Sequence, residues 1–103
     1  MSTVSTAFAI RFPEGFDART AHETPSRGYL SNVVVQTDDG TCYELFFIDP
    51  VRLQQELAEN VQSGDAYFAE PNLIVLPRVD PESIRVAVAG LQKDGYFEHA
   101  KPI

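Results

Sequence analysis

The chain has 103 residues, of which 44% are hydrophobic, and a formal net charge of −7 at pH 7. That length suits a single domain, residues 1–103, with one hydrophobic core. The acidic excess argues against binding to phosphate backbones or anionic lipid surfaces, because both are recognised by basic patches. We therefore expect no nucleic-acid partner and no membrane partner.

The uneven distribution of charge and the single cysteine indicate the kind of partner and the cellular compartment. Residues 29–103 carry five Lys and Arg against twelve Asp and Glu, whereas residues 1–28 are neutral. This charge would attract a basic protein. Cys42 is the only cysteine and cannot form an intrachain disulfide, so stability must come from packing and the reducing cytoplasm is the expected compartment.

The first predicted element is a strand, in which Phe8, Ile10 and Phe12 alternate with smaller or charged residues. Such a period of two is typical of a half-buried strand. Pro13 and Gly15 end the pattern. Residues 13–28 show no sustained period, so a long irregular loop is predicted there, and loops of that length are often functional.

The next two elements form the clearest hairpin in the chain. Residues 29–37 and 41–48 are rich in β-branched and aromatic side chains, and Asp38-Asp39-Gly40 separates them. Asp-Gly supplies the positive φ angles of a type I′ turn, so two antiparallel strands joined by that turn are predicted.

Two Asp-Pro steps, Asp49-Pro50 and Asp80-Pro81, each precede an amphipathic helical pattern. An Asp at the N-cap accepts N–H groups that lack a partner, and a Pro at the first helical position loses no hydrogen bond. We interpret both carboxylates as helix caps rather than catalytic groups. The apolar stripes predicted to face the sheet are Leu53, Leu57 and Val61 in the first helix and Ile84, Ala87, Val88 and Leu91 in the second.

Short strands are predicted between and after the helices. Residues 65–70 and 73–77 are interpreted as a second hairpin turning at Pro71-Asn72, with residues 73–76 in a central strand, and residues 96–99 as an edge strand. The order is therefore β, long loop, ββ, α, ββ, α, β. The predicted class is α+β, with a mostly antiparallel sheet of five to six strands and two helices packed on one face.

No motif for catalysis, metal binding or phosphate binding stands out, so no catalytic residue, metal ligand or cofactor is predicted. His22 lacks a recognisable nucleophile nearby in the sequence. Cys42 has the features of a small core residue, and the six glycines form no phosphate-binding loop.

Two surfaces attract more interest. The polar side of the first helix and the residues after it bear Glu56, Glu59 and Asp65, which suit a basic protein partner. The far side of the second helix carries mostly small and apolar residues where charged ones are expected, and this indicates a homodimer face or a site covered by the N-terminal arm. The residues of that face are Val86, Ala89, Gly90 and Lys93.

These observations favour a non-enzymatic, acidic protein-binding module. Its small size and acidity are typical of immunity or inhibitor proteins that neutralise a basic partner, although no motif carries that likeness. One alternative is a small enzyme or ligand-binding domain that uses residues 13–28 as a lid over a pocket of His22, Tyr29 and Tyr43. Another alternative is a homo-oligomeric accessory subunit.

Overall fold

The computed structural model describes residues 7–103 and shows an α+β fold built on a four-stranded sheet in the order β1-β2-β3-β4. The predicted class is confirmed, but the described chain has four strands rather than five to six and three α-helices rather than two. The elements are β1 (Phe8–Arg11), α1 (Ala18–Arg27), β2 (Tyr29–Thr37), β3 (Cys42–Ile48), α2 (Pro50–Gln62), β4 (Leu73–Val75), α3 (Pro81–Lys93) and a 3₁₀ turn at Tyr96–Glu98.

The first three strands pair antiparallel, as the alternating pattern and the hairpin predicted. The predicted turn type is wrong. Gly40 has a φ of 86°, but Asp39 has no positive φ, so the turn cannot be type I′. The Asp39 carboxylate accepts hydrogen bonds from the Thr37 hydroxyl and the Thr41 N–H. These bonds stabilise a turn in which only the glycine is left-handed.

The predicted loop at residues 13–28 contains a helix, α1. Asp17 caps its first turn by accepting the Thr20 N–H at 2.9 Å, and Gly28 ends it with a φ of 81°. Thr24, with no exposed surface, is the buried residue of this helix. The apolar period was too weak to reveal the helix, because α1 is mostly polar and buries a threonine instead of a hydrophobic stripe.

The second half of the sheet differs from the predicted hairpin. Residues 65–70 form no strand, and β4 pairs parallel with β3, with Ile74 opposite Phe47. β4 is an edge strand rather than a central one. Parallel pairing requires a crossover connection, which α2 supplies here.

The C-terminal segment also departs from prediction, because residues 96–98 form a 3₁₀ turn instead of an edge strand. The last residues lie along β3 next to β4. Pro102 forms a bridge with Tyr43, and the Ile103 N–H donates to the Cys42 carbonyl at 2.8 Å. Asn72 joins this tail to the sheet through bonds to the backbone of Glu44 and Lys101.

One face of the sheet carries the hydrophobic core, and α3 covers it. Ile84 and Val88 of α3 are fully buried, and the Tyr43 hydroxyl donates to the Phe97 carbonyl at 2.8 Å. The other core residues are Leu30, Val33, Val35, Leu45, Phe47, Leu76 and Val79. Both predicted caps are confirmed, since Asp49 and Asp80 each accept a backbone N–H at 2.7 Å from the residue three positions later.

Candidate functional site

Helix α2 does not pack as its amphipathic pattern predicts. None of its side chains is buried, and the exposed fractions are 41% for Leu57, 57% for Val61 and 67% for Val51. The half-buried residues of α2 are Arg52, Leu53, Glu56 and Asn60. The expectation that the apolar stripe faces the sheet is therefore wrong for Leu57 and Val61, although Leu53 is half-buried, because a largely polar edge of the helix faces the rest of the protein.

An arginine explains this orientation. The Arg52 guanidinium lies 4.7 Å from the centroid of the Tyr29 ring and forms an ion pair with Glu56 at 2.8 Å. Tyr29 stacks with Phe46, and Phe46 alternates with the core residues of β3, so both rings lie on the face opposite α3. The two long helices therefore lie on opposite faces of the sheet. The prediction that both pack on one face is wrong.

The start of α2 is fixed by a close contact with the end of α1. The Asp49 N–H donates to the Gly28 carbonyl at 2.8 Å. A Cβ at position 28 would lie 2.8 Å from the Asp49 Oδ2 and 2.9 Å from the Arg52 Cβ, closer than real contacts allow. Gly28 is thus required both by its positive φ and by this approach, and the contact sets the direction in which α2 leaves the sheet.

The chain after α2 folds back along the helix. The Asn60 carbonyl accepts the Asp65 N–H at 2.8 Å, and the Asn60 side chain donates to the Tyr67 carbonyl at 2.9 Å. These bonds hold the backbone of Tyr67 beside α2 while the residue remains 69% exposed. An exposed tyrosine therefore lies near the C-terminal half of the helix.

The predicted acidic residues are not equivalent in the structure. Glu56 is partly buried and paired with Arg52, so an internal cation balances its charge. Glu59 and Asp65 are exposed, and neither forms an ion pair within residues 7–103. No basic residue occupies the last turn of α2, so the negative end of the helix dipole adds to their field.

The pocket proposed under a lid of residues 13–28 is not assembled. His22 is exposed on α1. Tyr29 and Tyr43 lie on opposite faces of the sheet, since Tyr29 pairs with Ile48, five residues from Tyr43 along β3. A groove of about 220 Å³ beside the segment before α1 is lined by Tyr29 but by neither of the other two residues.

The outward face of α3 is bare in the part of the chain that the structure describes. Val86 is 69% exposed, and Ala89, Gly90 and Lys93 are exposed as well. A Cβ added at Gly90 would meet no atom within 4 Å. The alternative in which the N-terminal arm covers this face depends on residues 1–6, which lie outside the described residues.

The remaining surface of residues 7–103 has a further groove and no cluster of metal ligands. A groove of about 490 Å³ on the open sheet face is lined by Asn32, Glu44, Phe46, Glu70 and Lys101, among others. Within residues 7–103 no three His, Cys, Asp or Glu side chains group as metal ligands would. Nor does any described helix have the length and apolar character needed to cross a membrane.

The shifted carboxyl groups have structural causes. The Ser83 N–H lowers the pKa of Asp80, and Arg78 lowers it further. The Thr20 N–H lowers the pKa of Asp17, and the Thr37 hydroxyl lowers that of Asp39. Each group stabilises a helix start or a turn, so none is poised for acid or base work near neutral pH.

Comparison of the chain with protein-family models, curated proteins and solved structures finds no match. The sequence pattern indicated the acidic residues near α2. It also predicted that Leu57 and Val61 face the sheet, and it gave no indication of a role for Tyr67. The stripe itself was visible in the sequence, but its orientation was not.

Proposed function

We propose that this protein is a non-enzymatic protein-binding module that docks a basic protein on the exposed side of α2. The observation that carries the proposal is a helix held to the sheet by a largely polar edge, with Leu57 and Val61 of its apolar stripe left exposed. We call the exposed part of α2 and of the segment after it the α2 surface. Its apolar and aromatic residues are Val51, Leu57, Ala58, Val61 and Tyr67, and its acidic residues are Glu59, on the opposite flank of the helix from Leu57, and Asp65.

The apolar part of the α2 surface supports the docking of a protein. Large exposed apolar patches are uncommon on monomers and mark interaction sites, and α2 exposes Val51, Leu57 and Val61. Leu57 and Val61 are four residues apart and lie side by side on the helix, a spacing that suits insertion into the groove of a partner. Tyr67 adds an aromatic anchor of the kind that often dominates binding energy.

The charge of the α2 surface supports a basic partner. Glu59, Asp65 and the C-terminal end of the helix dipole combine at one end of α2, with no nearby basic residue in its last turn. The whole chain adds a net charge of −7. Such a field speeds association with a basic protein and repels an acidic one. An immunity protein or an inhibitor of a basic toxin is one role that this surface would serve.

A photo-crosslinking amino acid at Ala58 tests the location of the site. Ala58 lies on the exposed side of α2, and Ala18, exposed at the start of α1, provides a control of the same residue type. In cells of the source organism, the position-58 protein should crosslink to a basic protein that the position-18 protein does not capture. Equal capture from both positions, or capture of an acidic protein, would contradict the proposal.

The captured protein is then purified and its binding kinetics measured. Glu59→Lys should slow association at low salt, and Leu57→Ser should speed dissociation, because rim charges act mainly on encounter and apolar contacts on residence time. Glu14→Lys changes the net charge by the same amount at an exposed site outside α2 and is the matched control. Identical association rates for the two lysine variants would remove the assigned role of Glu59.

The immunity or inhibitor role has its own readout. If the captured protein has an enzymatic or toxic activity, the wild-type chain should suppress it and the Leu57→Ser variant should suppress it less. Suppression that is unchanged by Leu57→Ser would place the inhibitory contact elsewhere on the chain.

A further inference from the structure

Four exposed side chains form a line along the outward side of α3. They are Glu82, Val86, Ala89 and Lys93, spaced by four, three and four residues. At about 100° per residue they fall within about 60° of one another, on the side opposite the buried Ile84 and Val88. Alternating steps of three and four residues are the spacing of a helix-to-helix contact.

The four residues of one α3 can pair with the same four residues of a second, antiparallel α3. If the α3 of a second copy runs antiparallel, with the two-fold axis between Val86 and Ala89, then Val86 of each copy faces Ala89 of the other. In the same register Glu82 of each copy faces Lys93 of the other. A two-fold contact thus gives two opposite-charge pairs around a small apolar centre.

The surroundings of the line permit this contact. Neither Glu82 nor Lys93 forms an ion pair within the described residues, so both side chains are available to a second copy. Ala89 is small, and the space next to Gly90 is open, so the two helix backbones can approach closely. We propose that the protein self-associates through an antiparallel α3–α3 contact in this register.

Two factors limit the expected strength of self-association. Each copy carries a net charge of −7, which disfavours association of like chains. One helix pair also buries less area than a standard interface, so the dimer should be weak. The proposal rests on α3 alone and does not depend on the partner assigned to α2.

Charge reversal combined with sedimentation velocity tests the register. Glu82→Lys and Lys93→Glu should each weaken self-association about tenfold, because two attractive pairs become repulsive. The double variant should restore association to near the wild-type level. A mixture of the two single variants should form a heterodimer, since one chain then carries two lysines and the other two glutamates at the contact.

The helix dipole offers a competing explanation for the same charges, because Glu82 lies in the first turn and Lys93 in the last. On that explanation the double variant would be the least stable of the set, and its association would not recover. Circular dichroism and urea unfolding follow the fold of each variant. Failure of the double variant to associate while it remains folded would overturn the proposal.

Two controls separate this proposal from the proposed function. Glu59→Lys makes the same charge change on α2, so it should leave self-association intact while it slows binding of the basic partner. Val86→Glu should abolish self-association in a folded protein. A wild-type chain that stays monomeric up to about 1 mM, a concentration that detects even very weak binding, would rule out the dimer and leave the α2 proposal standing.

Discussion

A matched pair of valines tests whether α2 exposes its apolar stripe. Val61 of α2 is 57% exposed and Val88 of α3 has no exposed surface, yet each lies on the apolar stripe of a helix that begins with Asp-Pro. The substitution of each valine by alanine removes the same two carbon atoms. The difference between the two variants therefore reports how each stripe is packed.

The expected costs follow from burial. Two buried methylene equivalents contribute about 1.6 kcal/mol. The cavity left in the core adds to the cost of Val88→Ala and the higher helix propensity of alanine subtracts about 0.6 kcal/mol, which leaves about 1.5–3 kcal/mol. At Val61 less than half of the side chain is withdrawn from water, which leaves about 0.7 kcal/mol. The higher helix propensity of alanine offsets about 0.6 kcal/mol of that cost, so Val61→Ala should change stability by less than about 0.5 kcal/mol.

Urea unfolding followed by circular dichroism measures both free energies of unfolding. The expected result is a clear shift of the midpoint for Val88→Ala and almost none for Val61→Ala, with similar slopes. Equal losses would mean that α2 packs its stripe against the protein. In that case the α2 surface would not be available to a partner, and the proposed function would lose its main support.

Three further predictions concern the contacts that set the architecture. Gly28→Ala should destabilise the protein by more than about 1 kcal/mol in urea unfolding, because alanine strains the positive φ and meets Arg52; unchanged stability would show that α2 is not anchored there. Asn72→Gly, which suits the left-handed backbone at that position, should speed hydrogen exchange of the Ile103 amide by freeing the tail, and unaltered exchange would contradict this role. Asp80→Asn should lower the free energy of unfolding near neutral pH, although asparagine still caps the helix. The difference in unfolding free energy between wild type and this variant should become smaller below about pH 4.

The sign of the Asp80 effect follows from its lowered pKa. A carboxyl group with a lower pKa in the folded than in the unfolded state contributes its full stability above the unfolded value. That contribution is lost as the pH falls through the folded value. Unfolding free energies of wild type and variant that differ by a constant amount from pH 7 to about pH 3 would contradict this account.

The sequence by itself determined the elements whose causes are local. The β2–β3 hairpin follows from alternation and a glycine turn, and the two long helices follow from the caps Asp49 and Asp80 and the repeat of apolar residues. Helix α1 also had local signals in Asp17 and Gly28, but its polar composition concealed them. That Glu59 and Asp65 lack ion-pair partners could be predicted, because the sequence has no Lys or Arg between Arg52 and Arg78.

Only the tertiary structure decided how these elements meet. A short apolar run such as residues 73–76 fits a hairpin or a crossover equally well, and its parallel pairing with β3 depends on where α2 returns the chain. The direction of α2 depends in turn on the contact of Gly28 with Asp49 and on Arg52 over the Tyr29 ring. These contacts join residues more than twenty positions apart, so the helical period shows that an apolar stripe exists but not whether the protein or a partner covers it.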